Sequence, residues 1–224
     1  MAAFFVTGSG TDIGKTFVCA GLLRFWRTRG LDPAAIKPVV SGYDEASPEG
    51  SDPALLLQAL GRPVDAAQIQ AMAPFRLRAP LSPDQAAALE GRRLSAREVS
   101  APCRRLIEQA RGPVLVEGAG GVMSPLNERE TLLDLAILVG APVLFVAGSY
   151  LGALSHALTG LAALQAAGLR TAAVVVNESG QGSVGLEETV ASLGSRYALA
   201  PVLGLARGND DAWAQLADAL EAAG

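Results

Sequence analysis

The stretch Gly8-Ser9-Gly10-Thr11-Asp12-Ile13-Gly14-Lys15-Thr16 stands directly behind the apolar run Ala3-Phe4-Phe5-Val6 and leads into a helical pattern from Lys15 to Arg29. Strand, glycine-rich loop, Lys-Thr and helix together form the grammar of a P-loop. Glycines in such a loop let successive backbone N–H groups converge on phosphate oxygens, Lys15 reaches the β- and γ-phosphates, and the Thr16 hydroxyl is placed to ligate Mg²⁺. The spacing is a variant: Gly8 lies one residue too early for the usual motif, and Ser9 holds the position of its first glycine.

A dinucleotide fingerprint competes for the same glycines, since Gly8-x-Gly10-x-x-x-Gly14 is a loosened form of it. That site wants an acidic residue at the end of the second strand to hold a ribose. The second apolar run, 34–40, instead carries Lys37 and ends in Ser41-Gly42, while Asp32 precedes the run. The expected ligand is a nucleoside triphosphate.

Composition bounds the rest. Half of the 224 residues are hydrophobic and 18% are charged, enough for a sizeable core and too apolar for disorder. The net charge of −4, with no Lys/Arg block, argues against a nucleic-acid partner. Cys19 and Cys103 lie far apart without a CxxC, so neither zinc nor a disulfide framework is indicated, and Cys19 reads as helix packing. No apolar run approaches the length of a membrane span, and Met1-Ala2-Ala3-Phe4 enters the first strand without a leader. The expectation is a soluble, cytoplasmic protein without a membrane partner.

Apolar strands are expected at 3–6, 35–40, 114–116, 142–146, 172–176 and 202–205, most of them apolar throughout, as in strands buried on both faces. Helices are expected at 15–29, 53–60, 83–89, 96–110, 131–138, 153–167, 184–193 and 211–222. Asp52-Pro53 and Ser82-Pro83 pair a cap residue with proline at the first helical position, and Ser95-x-x-Glu98 fits a capping box. The alternation predicts an α/β protein: a three-layer P-loop NTPase-type fold with a mainly parallel sheet flanked by helices, as one domain over 1–224.

Ligands in such sheets bind at the carboxyl ends of strands, so the residues following each strand are the candidates. Glu117 ends Val114-Leu115-Val116 where an acid would hold Mg²⁺, and Gly118-Ala119-Gly120-Gly121 behind it offers free backbone N–H groups. Lys37 interrupts a buried run, where either a phosphate or a path to water must offset its desolvation. Asp52 serves equally as a helix cap or as a metal ligand. Asn177 could read a base or end a strand in a turn. His156, the one histidine, reads as a buried, hydrogen-bonded helix residue, with general base as the alternative.

At these residues the chain resembles the dethiobiotin synthetase family. The resemblance is carried by Thr7-Gly8 with Thr11 to Thr16, by Lys37-Pro38-Val39-Val40-Ser41-Gly42, by Ser51-Asp52, by Val116 to Gly121, by Leu151-Gly152 and by Asn177. It spans roughly residues 3–205. The resemblance implies ATP-dependent ring closure: one amine of 7,8-diaminopelargonate takes up CO₂ (or bicarbonate-derived CO₂) as a carbamate, the γ-phosphoryl group activates it, and the second amine closes the urea. It further implies that Lys15 and Lys37 stabilise the transferring charge, with Thr11 and Ser41 at the diamine or carbamate. Thr16, Asp52 and Glu117 would hold Mg²⁺, and backbone N–H groups of Asp12, Ile13, Gly14, Lys15, Thr16 and Phe17 the phosphates. Gly118, Ala119 and Gly120 would border the nucleotide, Asn177 would meet adenine, and Ala206 and Arg207 would close over the base. A homodimer is implied, with Tyr150-Leu151-Gly152 meeting the substrate tail across the interface.

The loop departs from the family pattern in having an extra glycine, Gly10, in place of an aspartate, and Ser155 stands where asparagine is common. Two other readings compete. A cobyrinic-acid-type amidating synthetase usually carries a glutaminase domain, for which this chain has neither the length nor a cysteine-histidine arrangement. A partitioning-type ATPase carries an early loop lysine at the position of Gly10.

Overall fold

The structure, a computed structural model, describes residues 2–179, 184–208 and 211–223. Met1, from which the sequence enters its first strand, and Gly224 lie outside them. In chain order the elements are β1 (Ala3–Gly8), α1 (Lys15–Thr28), β2 (Ala34–Ile36), β3 (Val39–Ser41), α2 (Asp52–Ala59), α3 (Ala66–Met72), β4 (Phe75–Leu77), α4 (Pro83–Leu89) and α5 (Ala96–Gln109). Then follow β5 (Val114–Glu117), α6 (Leu132–Val139), β6 (Val143–Gly148), α7 (Ala153–Ala166), β7 (Thr171–Asn177), α8 (Leu186–Gly194), β8 (Val202–Leu205) and α9 (Asp211–Ala222).

Six strands form one parallel sheet in the order β2-β5-β1-β6-β7-β8. From β1 the chain builds first toward β2 and β5, then reverses toward β6, β7 and β8. The reversal opens a crevice at the carboxyl end of β1, where the glycine-rich loop emerges.

The strands are apolar throughout because both faces are covered. Phe4 and Val6 pack with Leu22, Leu57 and Leu216 from α1, α2 and α9. Phe5, one residue away, faces Val99, Leu132 and Leu135 on the opposite side. On β6, Leu144 and Val146 join the first face, while Val143 and Phe145 meet Leu161, Leu164 and Leu193 of α7 and α8. Each large side chain buried this way contributes about 1.5–3 kcal/mol.

The expected strand over 35–40 is divided. β2 ends at Ile36, and Val39 to Ser41 pairs instead with β4 in a separate two-stranded parallel sheet. Pro38 has no N–H to offer a ladder, and the Lys37 N–H turns to the Met72 carbonyl at 2.9 Å. The short elements α3 and β4, absent from the sequence expectation, provide that carbonyl and the partner strand.

The two early loop glycines carry different loads. A Cβ on Gly8 would lie 2.2 Å from the Val146 carbonyl oxygen on the neighbouring strand, whereas no described residue lies within 4 Å of one on Gly10. Gly8→Ala should therefore cost about 1–3 kcal/mol by overpacking, and Gly10→Ala less than about 0.5 kcal/mol. Urea midpoints at constant slope check this. Equal losses in both variants would contradict it.

Candidate active site

The loop between β1 and α1 turns through two left-handed residues, Asp12 at φ 56° and Gly14 at φ 93°. Asp12 is the one non-glycine residue at positive φ among the described residues. Such strain, of order 1–2 kcal/mol, persists where a site over-determines it. The backbone amides of residues 10–17 donate to no group among the described residues, so a run of unspent donors stands at the start of α1. Lys15 arches back so that its Nζ donates to the Gly10 carbonyl at 2.7 Å. Burial, reinforced by the nearby Lys37, lowers the Lys15 pKa to about 8.

Beside the loop lies a charge cluster drawn from three segments. Glu117, the last residue of β5, is 1% exposed. Its Oε1 accepts from Lys37 Nζ at 2.5 Å and from the Thr16 hydroxyl at 2.6 Å. Lys37 Nζ also meets Asp52 Oδ2 at 2.6 Å. Lys37 therefore does not reach for water. Burial by itself would lower its pKa, but Glu117 and Asp52 outweigh that and raise it. Burial likewise pushes the Asp52 carboxyl up, yet Lys37 and Thr16 hold it below the ordinary range. Asp52 is not the helix cap: Ser51 caps α2 by accepting from the Ala54 N–H, and Asp52 occupies the first turn with its carboxylate free for Lys37.

Two cavities meet at the loop, sharing Asp12 and Gly14. The first, about 670 Å³, has Lys15, Thr16, Lys37, Asp52 and Glu117 in its wall, with the hydroxyls of Thr11, Ser41, Ser82 and Ser124 around it. Val39, Val40, Pro80, Leu81 and Pro83 add apolar surface, and Ala119 and Gly120 complete the lining. The second, about 510 Å³, is lined by Ile13, Phe17, Asn177, Glu178, Ser179 and Arg207. There the Asn177 amide donates to the Ile13 carbonyl at 3.0 Å, and the Arg207 N–H donates to Glu178 Oε2 at 2.9 Å.

Several sequence candidates fall elsewhere. Gly118 and Ala206 line neither cavity. The run 118–121 is less open than expected: the Gly118 N–H is spent on Val6 and that of Gly121 on Ser124 Oγ, while the amides of Ala119 and Gly120 bond to no described residue. Tyr150, Leu151 and Gly152 line neither cavity; they lead into α7, with Leu151 83% exposed. His156 is exposed rather than buried, its Nδ1 3.0 Å from the Tyr150 hydroxyl. Conversely, Ser82 and Ser124 went unrecognised. Ser82-Pro83 was legible as a helix start, but its place on the cavity wall depends on the small sheet; Ser124 left no pattern.

The donor set fits Mg²⁺. Glu117 Oε2 is buried and has no hydrogen-bond partner among the described residues, next to the Thr16 hydroxyl and the Asp52 carboxylate. Among the described residues no cluster of three or more His, Cys, Asp or Glu could hold a metal by itself. One or two carboxylates plus substrate phosphates is the usual arrangement for Mg²⁺. No described helix is long and apolar enough to cross a membrane.

Known proteins resemble this chain in sequence and in fold. A family model described as "AAA domain" matches residues 2–205. The ATP-dependent dethiobiotin synthetase BioD of a Caulobacter species is 50% identical over 224 residues, covering 100% of this chain and 96% of that protein. The protein of the same name from Acidiphilium cryptum is 45% identical, covering 86% of this chain and 87% of its own length. Among solved structures, chloroplast FtsY from Physcomitrella patens aligns with a TM-score of 0.57 at 18% identity, over 98% of this chain and 65% of that one. Hydrogenase maturation factor HypB from Archaeoglobus fulgidus gives 0.56 at 13% identity, over 98% and 90%. These structural likenesses show a shared P-loop NTPase fold. The sequence relationships, at high identity across nearly full length, place the chain in the ATP-dependent dethiobiotin synthetase family.

Proposed function

We propose that the chain, acting as one domain, makes dethiobiotin from 7,8-diaminopelargonate, CO₂ and ATP, with the phosphoryl group transferred at the junction of the two cavities. The observation that carries this reading is the convergence of Lys15, Lys37, Thr16, Asp52 and Glu117 in the wall of the first cavity, beside the loop residues Asp12 and Gly14 that it shares with the cavity bordered by Asn177. ATP is a co-substrate of this ATP-dependent family.

In this reading the second cavity takes adenine against Phe17, Asn177 and Arg207, with Ala206 behind Arg207. The amides of 12–17 hold the phosphates. Thr16, Asp52 and Glu117 hold Mg²⁺, which when bound would offset charge on the β- and γ-phosphates. The diamine lies in the first cavity, its carbamate near Thr11, Ser41, Lys15 and Lys37 and its methylenes against Val39, Val40 and Leu81. A carbamate oxygen bonds to the γ-phosphorus as the bond to ADP breaks. The second amine then attacks the carbamoyl carbon, loses its proton, and phosphate departs with the oxygen. Both reactants are anionic, so Lys15 and Lys37 act by positioned positive charge. Burial and the neighbouring Lys37 lower the Lys15 pKa, and a bound triphosphate would oppose both. Operation in the cytoplasm is part of this proposal, and the acidic charge balance supports the absence of a nucleic-acid partner.

Quantifying products with diamine, CO₂ and ATP tests the assignment. ADP and cyclic urea should appear in equal amounts, and EDTA should stop both. ATP hydrolysis independent of diamine would contradict the synthetase reading and favour a nucleotide switch.

The active unit is proposed to be a homodimer. Leu151, Met123, Ile137 and Leu138 are exposed apolar residues, and Gly152 enters α7 at φ 95°. The α7 amides there suit a substrate carboxylate supplied from a second copy. Gly152→Val should raise the diamine KM about tenfold while leaving the ATP KM within about twofold. A fully active monomer on sedimentation, with unchanged diamine KM in the variant, would contradict it.

A further inference from the structure

We propose that Arg76 is a positioning residue that fixes the segment joining Ser41 to Asp52. The inference rests on the reading of those two residues as substrate and Mg²⁺ contacts. They stand at opposite ends of a loop, 42–51, that itself borders neither cavity. The loop is anchored where it leaves β3, by the Gly42 N–H on Ala79 and the Tyr43 N–H on Leu77. Beyond Tyr43 its hydrogen bonds turn inward: the Ser47 N–H to Asp44, the Ala46 N–H to Asp44 Oδ1, the Ser51 N–H to Pro48. Most of its side chains are exposed.

Between Asp44 and Gly50 one hydrogen-bonded tie reaches the body of the protein among the described residues. Glu45 Oε1 accepts from Arg76 Nε at 2.9 Å. The guanidinium is held before Glu45 arrives. Arg76 lies on β4 opposite Val40, its Nη1 donating to the Ala73 carbonyl at 2.7 Å and to Gln70 Oε1 at 2.9 Å. Its face stacks over the ring of buried Tyr43, 5.4 Å from the centroid. Isolated exposed ion pairs contribute little because two flexible side chains must be ordered. Here the arginine is already ordered by β4 and the end of α3, so pairing with Glu45 restrains chiefly the loop. Lysine cannot reproduce this, because Nε and Nη1 address different partners while the plane stacks on the ring.

A loop so restrained holds the Ser41 hydroxyl and the Asp52 carboxylate at fixed separation; released, it lets the first turn of α2 fray away from Lys37. The test compares Arg76→Ala, Arg76→Lys and Glu45→Gln. Hydrogen exchange should accelerate about tenfold at the Tyr43, Ala46, Ser47 and Ser51 amides in Arg76→Ala, with core amides of α1 and β6 unchanged. The Mg²⁺ half-saturation and diamine KM should rise about three- to tenfold together, with the ATP KM moving less than about twofold. Arg76→Lys should restore neither exchange nor KM. If Arg76→Ala does not fold, Glu45→Gln, on an exposed side chain, must give the same changes in weaker form.

Unchanged exchange overturns the proposal, as does faster exchange with unaltered Mg²⁺ and diamine dependence. Asp52→Asn, run in parallel, separates the two readings: unchanged Mg²⁺ half-saturation there rejects Asp52 as a metal residue, and the Arg76 proposal then stands or falls on exchange and the diamine KM.

Discussion

The structure turns on a buried carboxylate. Glu117 ends a central strand with almost no exposure, where an ionised group is untenable unless paired. Lys37, equally buried, answers it and takes Asp52 as a second counter-charge. Eighty residues separate Lys37 from Glu117 in sequence. One ammonium therefore fastens the end of β2, the end of β5 and the start of α2 around the first residues of α1. Removing one partner of such a buried pair leaves an uncompensated charge and costs about 3–5 kcal/mol. The same cluster faces the first cavity, so the demand that stabilises the fold also gathers charge at the proposed site.

Parallel topology explains why these groups share one edge. Every strand of the main sheet presents its carboxyl end on the same side, and the reversal of strand order beside β1 opens the crevice there. The division of labour across the glycine-rich loop follows from the neighbours. Toward β7 and β8 lies the cavity bordered by Asn177, Glu178 and Arg207; toward β3, β4 and α4 lies the one walled by Val39, Ser41, Pro80 and Ser82. The small sheet gives the first cavity this wall by carrying the chain away from the main sheet at Lys37-Pro38.

Much of this was legible in particular residues. The apolar runs at 3–6 and 142–146 announce doubly covered strands, and the Gly14-Lys15-Thr16 signature places a phosphate loop before α1. Lys37 and Glu117 stand out because a charge beside or within apolar sequence needs a reason, and Asp52 because it precedes Pro53 at a helix start. What stayed hidden depended on tertiary pairing. Lys37-Pro38 read as the interior of one strand, because local propensity cannot reveal that the next three residues pair with Phe75–Leu77. Asp52 read as a cap as readily as a ligand, since Ser51 and Asp52 are both good capping types and only geometry assigns the role to Ser51. His156 looked like core because the α7 sequence is apolar around it, yet it projects outward beside Tyr150. Ser124 carries no local signal; its oxygen matters because the Gly121 N–H points at it.

The most direct test of this account is a double-mutant cycle on folding stability with Lys37→Met, Glu117→Gln and the pair together. Lys37→Met should lose about 3–5 kcal/mol by stranding the buried Glu117 carboxylate, Glu117→Gln should lose less because Lys37 keeps Asp52, and the double variant should recover part of the Lys37→Met loss, giving a coupling of at least about 2 kcal/mol. Additive losses, or single variants within about 0.5 kcal/mol of the parent, would contradict the claim that this buried pair organises the molecule.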